Sequence, residues 1–270
     1  MDCNLRCTYC FYETPGRVNS GNLFPIGLLR SLFFQLPEVN DQEDLRVIWH
    51  GGEPTLAGLS YFREALKIQR SVEEQYGCTF RNSIQTNGVL VDEDWVEFFK
   101  ENGFRVGISV DGPPAIHNRY RKTPGGSGSF EQVIKGLKLC LQAKLPLGCL
   151  ATINESHGGD GRQLFQFFVG LGVKNFRAKP CYEVDSRTGE PLPFSTSPRA
   201  YGTFLVELFD AWIEKDDPAI NCGPVDDFLR GVLGQKKQQC VFKRSCHFFG
   251  VWPDGLVYPC ETRGFLRKRV

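Results

Sequence analysis

The chain has 270 residues and carries 32 Lys plus Arg against 31 Asp plus Glu, a formal charge of +1 that argues against a nucleic-acid binder, whose basic excess would show in the total. Its 41% hydrophobic content and 22 Phe exclude a disordered chain, and at this length folding removes roughly three quarters of the chain's surface from water, so the 11 Cys are not needed as disulfide staples. No apolar run approaches the roughly 18 residues of a membrane span and no secretory leader is recognisable, so a cytoplasmic protein without membrane contact is expected.

In chain order, Cys3, Cys7 and Cys10 come first, as CxxxCxxC. In a reducing compartment thiols seldom pair, and an odd number cannot pair completely within one chain, so clustered cysteines point to metal. Three thiolates on one tight loop are fewer than the four ligands of a structural zinc site. They fit a 4Fe-4S cluster with one iron open to a small molecule; a zinc site completed by a distant Cys or His is the alternative on spacing alone. Tyr9, next to Cys10, offers an aromatic face for shielding or for a purine ring.

Helical spacing of apolar residues then predicts a helix over Leu23 to Leu36, followed by a strand at Leu45 to His50 and a helix over Tyr61 to Tyr76. A strand at Phe80 to Gln85, a helix over Glu93 to Glu101, a strand at Phe104 to Val110 and a helix over Phe130 to Ala143 continue the alternation, with Asp92 and Ser129 as N-caps. Strands at Leu147 to Ile153 and Lys174 to Lys179 flank a helix over Gly161 to Leu171. Such alternation predicts parallel strands in a barrel or a doubly wound sheet, whose ligands bind at the carboxyl ends of the strands. Three successive strand ends carry unusual polar, glycine-containing signatures: His50-Gly51-Gly52-Glu53-Pro54, Gln85-Thr86-Asn87-Gly88 and Ser109-Val110-Asp111-Gly112-Pro113. A glycine pair is by itself an ordinary turn, and Asp-Gly-Pro reads as a turn ordered by Asp111.

Arg187 to Pro198 is rich in Pro, Ser and Thr and reads as a loop or boundary before an amphipathic helix from Pro198 to Glu214. Beyond Gly234 a Cys-, Gly- and Pro-rich tail, with Cys240, Cys246 and Cys260, has too little aliphatic content to fold by core burial alone, which again points to metal. Cys140 and Cys149 sit in apolar runs and are expected in the core, Cys181 lies at a strand end, and His50 and His117 are expected to line the pocket.

The run Asp2-Cys3-Asn4-Leu5-Arg6-Cys7-Thr8-Tyr9-Cys10-Phe11-Tyr12 resembles the cluster loop of radical S-adenosylmethionine (SAM) enzymes. Together with HGGEP, QTNG, SVDGP and the Cys-rich tail it resembles the anaerobic sulfatase-maturating enzymes and their peptide-modifying relatives, from Asp2 to about Gly264. The resemblance implies that Cys3, Cys7 and Cys10 hold a 4Fe-4S cluster and that Gly51, Gly52 and Glu53 bind the amino group of S-adenosylmethionine. It places Ser109 on the ribose, Arg121 on the cofactor carboxylate with Arg119 as its competitor, Tyr9 and Tyr182 on the adenine side, and Gln85 and Asn87 at the ligand or substrate pocket. Cys240, Cys246 and Cys260 resemble ligands of an auxiliary 4Fe-4S cluster in a SPASM extension, for which a zinc ribbon is the alternative. Glu261 stands where sulfatase maturases carry an aspartate base.

The implied fold is a partial parallel (β/α)6, TIM-barrel-like radical SAM barrel with its first strand missing over residues 1–197, a helical linker over 198–233 and a truncated SPASM tail over 234–270. The implied activity is oxidation of a Cys or Ser side chain of a sulfatase to formylglycine through a 5′-deoxyadenosyl radical, with flavodoxin or ferredoxin as electron donor. Two alternatives are a maturase that crosslinks side chains of a ribosomal peptide and an inactive zinc-binding scaffold.

Overall fold

A computed structural model describes residues 2–10, 23–39, 43–185, 187–235 and 248–258. Six parallel strands form one sheet in sequential order: β1 (Asp44–Trp49), β2 (Thr79–Thr86), β3 (Arg105–Ser109), β4 (Leu147–Ile153), β5 (Asn175–Pro180) and β6 (Asn221–Gly223). Helices α1 (Ile26–Gln35), α2 (Gly58–Tyr76), α3 (Glu93–Glu101), α4 (Pro114–Tyr120), α5 (Phe130–Gln142), α6 (Gly161–Gly170), α7 (Pro198–Lys215) and α8 (Val225–Val232) accompany it. The parallel strands are those expected from the alternation, and the open sheet, with β1 and β6 at its two edges, is the partial barrel that the resemblance implied. Every strand and helix read from periodicity is present to within about three residues at each end. The additions, β6, α4 and α8, are short: three residues cannot show alternation, and α4 and α8 give too few turns for a helical period.

Apolar residues on alternate positions bind the strands to the helices. Val106, Ile108 and Val110 are buried on the helix side. The intervening Arg105, Gly107 and Ser109 occupy the other face. In α3 the N-cap Asp92 accepts from the Trp95 backbone N–H at 3.0 Å. One turn on, Trp95, Phe98 and Phe99 pack with Phe62 and Phe104, the Phe99 and Phe104 ring centroids lying 5.6 Å apart. Cys140 and Cys149 belong to the same core, as expected of small apolar residues. A second cluster, with Leu29, Phe33, Ala65, Ile68 and Val72, fastens α1 and α2 to Leu45 and Phe80. The expected cap at Ser129 is not formed: its hydroxyl makes no cap bond to α5 and instead donates to the Arg121 carbonyl at 2.9 Å.

The other face of the sheet is polar. Gln85, Ser109, Thr152 and Arg177 all stand on it, and Arg177 reaches Asp227 at the start of α8 with Nη1 to Oδ2 at 2.8 Å. Farther on, Gly250–Val251 (β7) and Val257–Tyr258 (β8) form a small antiparallel hairpin around Pro253-Asp254-Gly255. Cys240, Cys246, Cys260 and Glu261 lie outside the described residues. Among the described residues no helix is long and apolar enough to cross a membrane.

Candidate active site at the carboxyl ends of the strands

The cysteine loop, residues 2–10, lies across the carboxyl ends of β1, β2 and β3. Four contacts fix it. The Glu53 N–H donates to the Asp2 carbonyl at 2.8 Å, and Asn87 Nδ2 donates to Asn4 Oδ1 at 2.7 Å. Arg6 N–H donates to the Lys122 carbonyl at 2.6 Å and Thr8 N–H to the Tyr120 carbonyl at 3.0 Å. The first contact explains the glycine pair. Gly51 and Gly52 are left-handed (φ 99° and 57°), and a Cβ on Gly52 would stand 2.1 Å from the Asp2 carbonyl oxygen, so only glycine lets the two loops meet.

Glu53 is buried beneath this junction. Its Oε1 accepts from Thr55 N–H (3.0 Å), Thr55 Oγ1 (2.7 Å) and Thr86 Oγ1 (2.7 Å), and its Oε2 from Asn87 N–H at 2.6 Å. Burial pushes its carboxyl above the usual range, against the pull of these donors. Its carboxylate thus ties the end of β1 to the end of β2.

Gln85 and Ser109 are neighbours: Gln85 Nε2 donates to Ser109 Oγ at 2.9 Å. The amide lies over Gly107, where a Cβ would meet Gln85 Oε1 at 2.3 Å, so the glycine in β3 is what makes room for it. With its oxygen already accepting, the Ser109 hydroxyl keeps its hydrogen to donate onward.

Asp111 holds more partners than its turn motif foretold. It is fully buried at the end of β3. Oδ1 accepts from Thr152 N–H at 3.0 Å, and Oδ2 accepts from Arg121 Nε at 3.0 Å and from the Tyr9 hydroxyl. Its backbone is held too, with the N–H 3.4 Å from His117 Nδ1 and the carbonyl 2.8 Å from His157 Nε2. The neighbours fix both tautomers. Ser129 gives its proton to the Arg121 carbonyl, so His117 Nε2, 3.1 Å from Ser129 Oγ, must be the donor and Nδ1 the acceptor. His157 Nδ1 accepts from Asn154 N–H at 3.1 Å, leaving Nε2–H for Asp111. Burial alone would raise the Asp111 pKa, but Arg121 and the other partners hold it below the usual carboxylate range. His117, expected to line the pocket, is fully buried behind it, and burial lowers its pKa to about 4.

Arg121 is buried with its guanidinium over the Tyr9 ring, Cζ 5.6 Å from the centroid. Arg119, its competitor, is exposed and pairs with Glu155 at 2.8 Å, where the Tyr120 hydroxyl also donates. Tyr182, just past β5, is 55% exposed, in contrast to the buried Arg121. His157, Thr152 and the second role of Asp111 were not foreseen: a lone His and a backbone N–H on β4 carry no spacing signature.

The donor set of the loop suits an iron–sulfur cluster. Burial raises the Cys3 thiol above its ordinary value and Cys7 to about 12, with Cys10 adding to both, so the loop gathers thiols in a setting where thiolates need a cation. Asp2 Oδ1 and Asn4 Nδ2, flanking Cys3, are buried without a hydrogen-bond partner, as expected of a loop shaped around a further group. Among the described residues no three Cys, His, Asp or Glu converge on a single metal ion.

Comparison with known proteins agrees with this geometry. The Radical SAM superfamily model matches residues 2–161. The cysteine-type anaerobic sulfatase-maturating enzyme of Clostridium novyi is 33% identical over 266 residues, covering 96% of this chain and 71% of that protein. The serine-type enzyme of Bacteroides thetaiotaomicron is 28% identical over 277 residues, covering 96% of this chain and 66% of that protein. A solved structure, native anSMEcpe with bound AdoMet and Cp18Cys peptide, matches with a TM-score of 0.87 at 31% identity, covering 96% of this chain and 71% of that one. The present sequence therefore spans roughly two thirds to seven tenths of these relatives. A cysteine loop docked on three glycine-marked strand ends, matched by the family model over those same residues, makes this chain a member of the radical SAM superfamily, in the branch of the anaerobic sulfatase-maturating enzymes.

Proposed function

We propose that the protein is a radical SAM oxidoreductase that converts a Cys or Ser side chain of a sulfatase to formylglycine. The observation that carries this reading is the docking of the Cys3–Cys10 loop onto the ends of β1, β2 and β3, in a chain 33% identical to a cysteine-type sulfatase-maturating enzyme. When bound, a 4Fe-4S cluster and S-adenosylmethionine supply abstraction of a hydrogen atom from the β-carbon of the target residue.

The chain's own residues bind and orient. Cys3, Cys7 and Cys10 give the three thiolates. Gly51 and Gly52 bring backbone carbonyls to the cofactor's amino group, and Glu53, with its carboxylate braced by Thr55, Thr86 and Asn87, holds that turn in shape and adds a negative charge beneath it. Ser109, braced by Gln85, donates its hydroxyl to a ribose oxygen. Arg121 meets the carboxylate, and Tyr9 and Tyr182 take the adenine side. In the tail, Cys240, Cys246 and Cys260 supply thiolates for an auxiliary cluster and Glu261 receives the substrate proton, the barrel, linker and tail dividing near residues 197 and 233. Flavodoxin or ferredoxin in the cytoplasm is the electron donor in this reading.

The test is anaerobic incubation of the reconstituted full-length protein with sulfatase-derived peptides containing Cys or Ser. Formylglycine formed in parallel with 5′-deoxyadenosine is expected. Cofactor cleavage without that product would replace this reading by side-chain crosslinking, and a colourless protein holding zinc would remove radical chemistry altogether.

A further inference from the structure

We infer that Asp111 is a positioning residue of the cofactor site, which sets the orientation of Arg121 from the end of β3. The inference rests on the reading of Arg121 as the partner of the cofactor carboxylate. A guanidinium recognises a carboxylate through a planar fork, so its usefulness depends on where the plane points. Here that plane is fixed twice. Asp111 Oδ2 takes the Nε hydrogen at 3.0 Å, and the Tyr9 ring lies beneath the guanidinium with Cζ 5.6 Å from its centroid, while the Tyr9 hydroxyl is itself bound to Asp111 Oδ2. One carboxylate oxygen thus holds both the arginine and the ring under it.

The support behind Asp111 is rigid. Thr152 N–H, His117 and His157 hold its side chain and both backbone polar groups; His117 comes from α4, which follows the turn, while Thr152 on β4 and His157 beyond it reach Asp111 from more than forty residues away. A carboxylate needed only to order the Asp-Gly-Pro turn would not require an ion pair to a residue ten positions away or a donor from the next strand. The same arrangement couples two loops. Tyr9 lies between Cys7 and Cys10, so the loop that gathers the thiols also completes the support of Arg121.

An alternative role for Asp111 makes the opposite prediction. If it merely neutralised Arg121, its replacement by Asn would leave the arginine with an uncompensated positive charge and tighten a carboxylate ligand. If it positions Arg121, the same replacement weakens that ligand. The experiment measures anaerobic binding of S-adenosylhomocysteine, which carries the carboxylate, and of 5′-methylthioadenosine, which lacks it, to the cluster-loaded full-length protein. For Asp111→Asn we expect about a tenfold loss of affinity for the first, the size usual for a residue that orients a ligand-binding group, and little change for the second. Equal weakening of both, no change, or tighter binding of S-adenosylhomocysteine would overturn the proposal.

Arg121→Gln, measured in parallel, separates the two levels. Collapse of the preference for S-adenosylhomocysteine in Arg121→Gln without an effect of Asp111→Asn leaves the arginine reading intact and sinks the role of Asp111. An unchanged preference in Arg121→Gln sinks both. Should Asp111→Asn fail to fold, Tyr9→Phe keeps the ring and removes its hydroxyl from Asp111; a selective loss for the carboxylate ligand supports the proposal and an unchanged ratio overturns it.

Discussion

Strand β3 ends in one kind of buried environment and is backed along its length by another. On the helix side, Val106 and Ile108 lie in a core of Phe62, Trp95, Phe98, Phe99 and Phe104, where burial is stabilised by apolar area and ring packing without regard to individual atoms. Two residues beyond the end of the strand at Ser109, Asp111 is buried just as deeply, yet each of its polar groups has a named partner. The first environment tolerates a change of shape and penalises lost volume. The second tolerates lost volume poorly for another reason: removing one partner strands a desolvated charge. Stability is therefore concentrated behind the sheet and ligand geometry at its carboxyl end.

Four measurements bear on that division. Phe99→Ala, which empties a fully buried position, is expected to cost about 3–5 kcal/mol in denaturant unfolding while leaving ligand preference unchanged in whatever fraction remains folded. Equal loss of ligand discrimination would show that the two regions are not separable. Acid comes next. His117 is neutral in the fold with a pKa near 4, below its ordinary value of about 6.5, so the unfolded chain takes up the proton first as the pH falls. Its contribution to stability is complete above about pH 6.5 and is lost progressively down to about pH 4, on the order of 3 kcal/mol in all. His117→Gln should flatten that part of the stability profile, and an unchanged profile would assign the acid sensitivity elsewhere.

Glu53→Gln sits on the strand-end side of the comparison. An amide nitrogen in place of one carboxylate oxygen opposes an N–H or hydroxyl donor from Thr55, Thr86 or Asn87, for an expected cost of about 2 kcal/mol and a weakened grip on the cysteine loop, read as lower iron content after reconstitution. Retained iron with unchanged stability would mean the loop does not depend on this brace. The smallest effect is expected at Arg162→Ala, which removes the surface fork to Glu214 between α6 and α7; the melting temperature should not move measurably.

Much of this molecule was legible before its structure. The thiol spacing, the glycine pair and the three polar strand ends could be read because each is a short contiguous pattern. So could α3, whose Asp92 cap and aromatic spacing are local. Ser129 shows where local reasoning stops: it has the composition of an N-cap, but its hydroxyl is drawn to the Arg121 carbonyl and His117 instead. Asp111 was visible as a turn residue and hidden as an ion-pair partner, since Arg121 and Thr152 meet it only after β3, α4 and β4 have packed.

The sequence by itself determined the periodicities that make five of the six parallel strands and the longer helices, and the order in which cysteines, glycines and strand-end polar residues occur, because these depend on spacing along the chain. Only the tertiary structure decided which polar groups share a proton or a charge. The Gln85 to Ser109 bond needs the bare face of Gly107, the approach of Asp2 needs the left-handed Gly52, and which ring nitrogens of His117 and His157 donate follows from the partners that surround each ring. Burial turns such contacts into energies, and burial is a property of the packed chain.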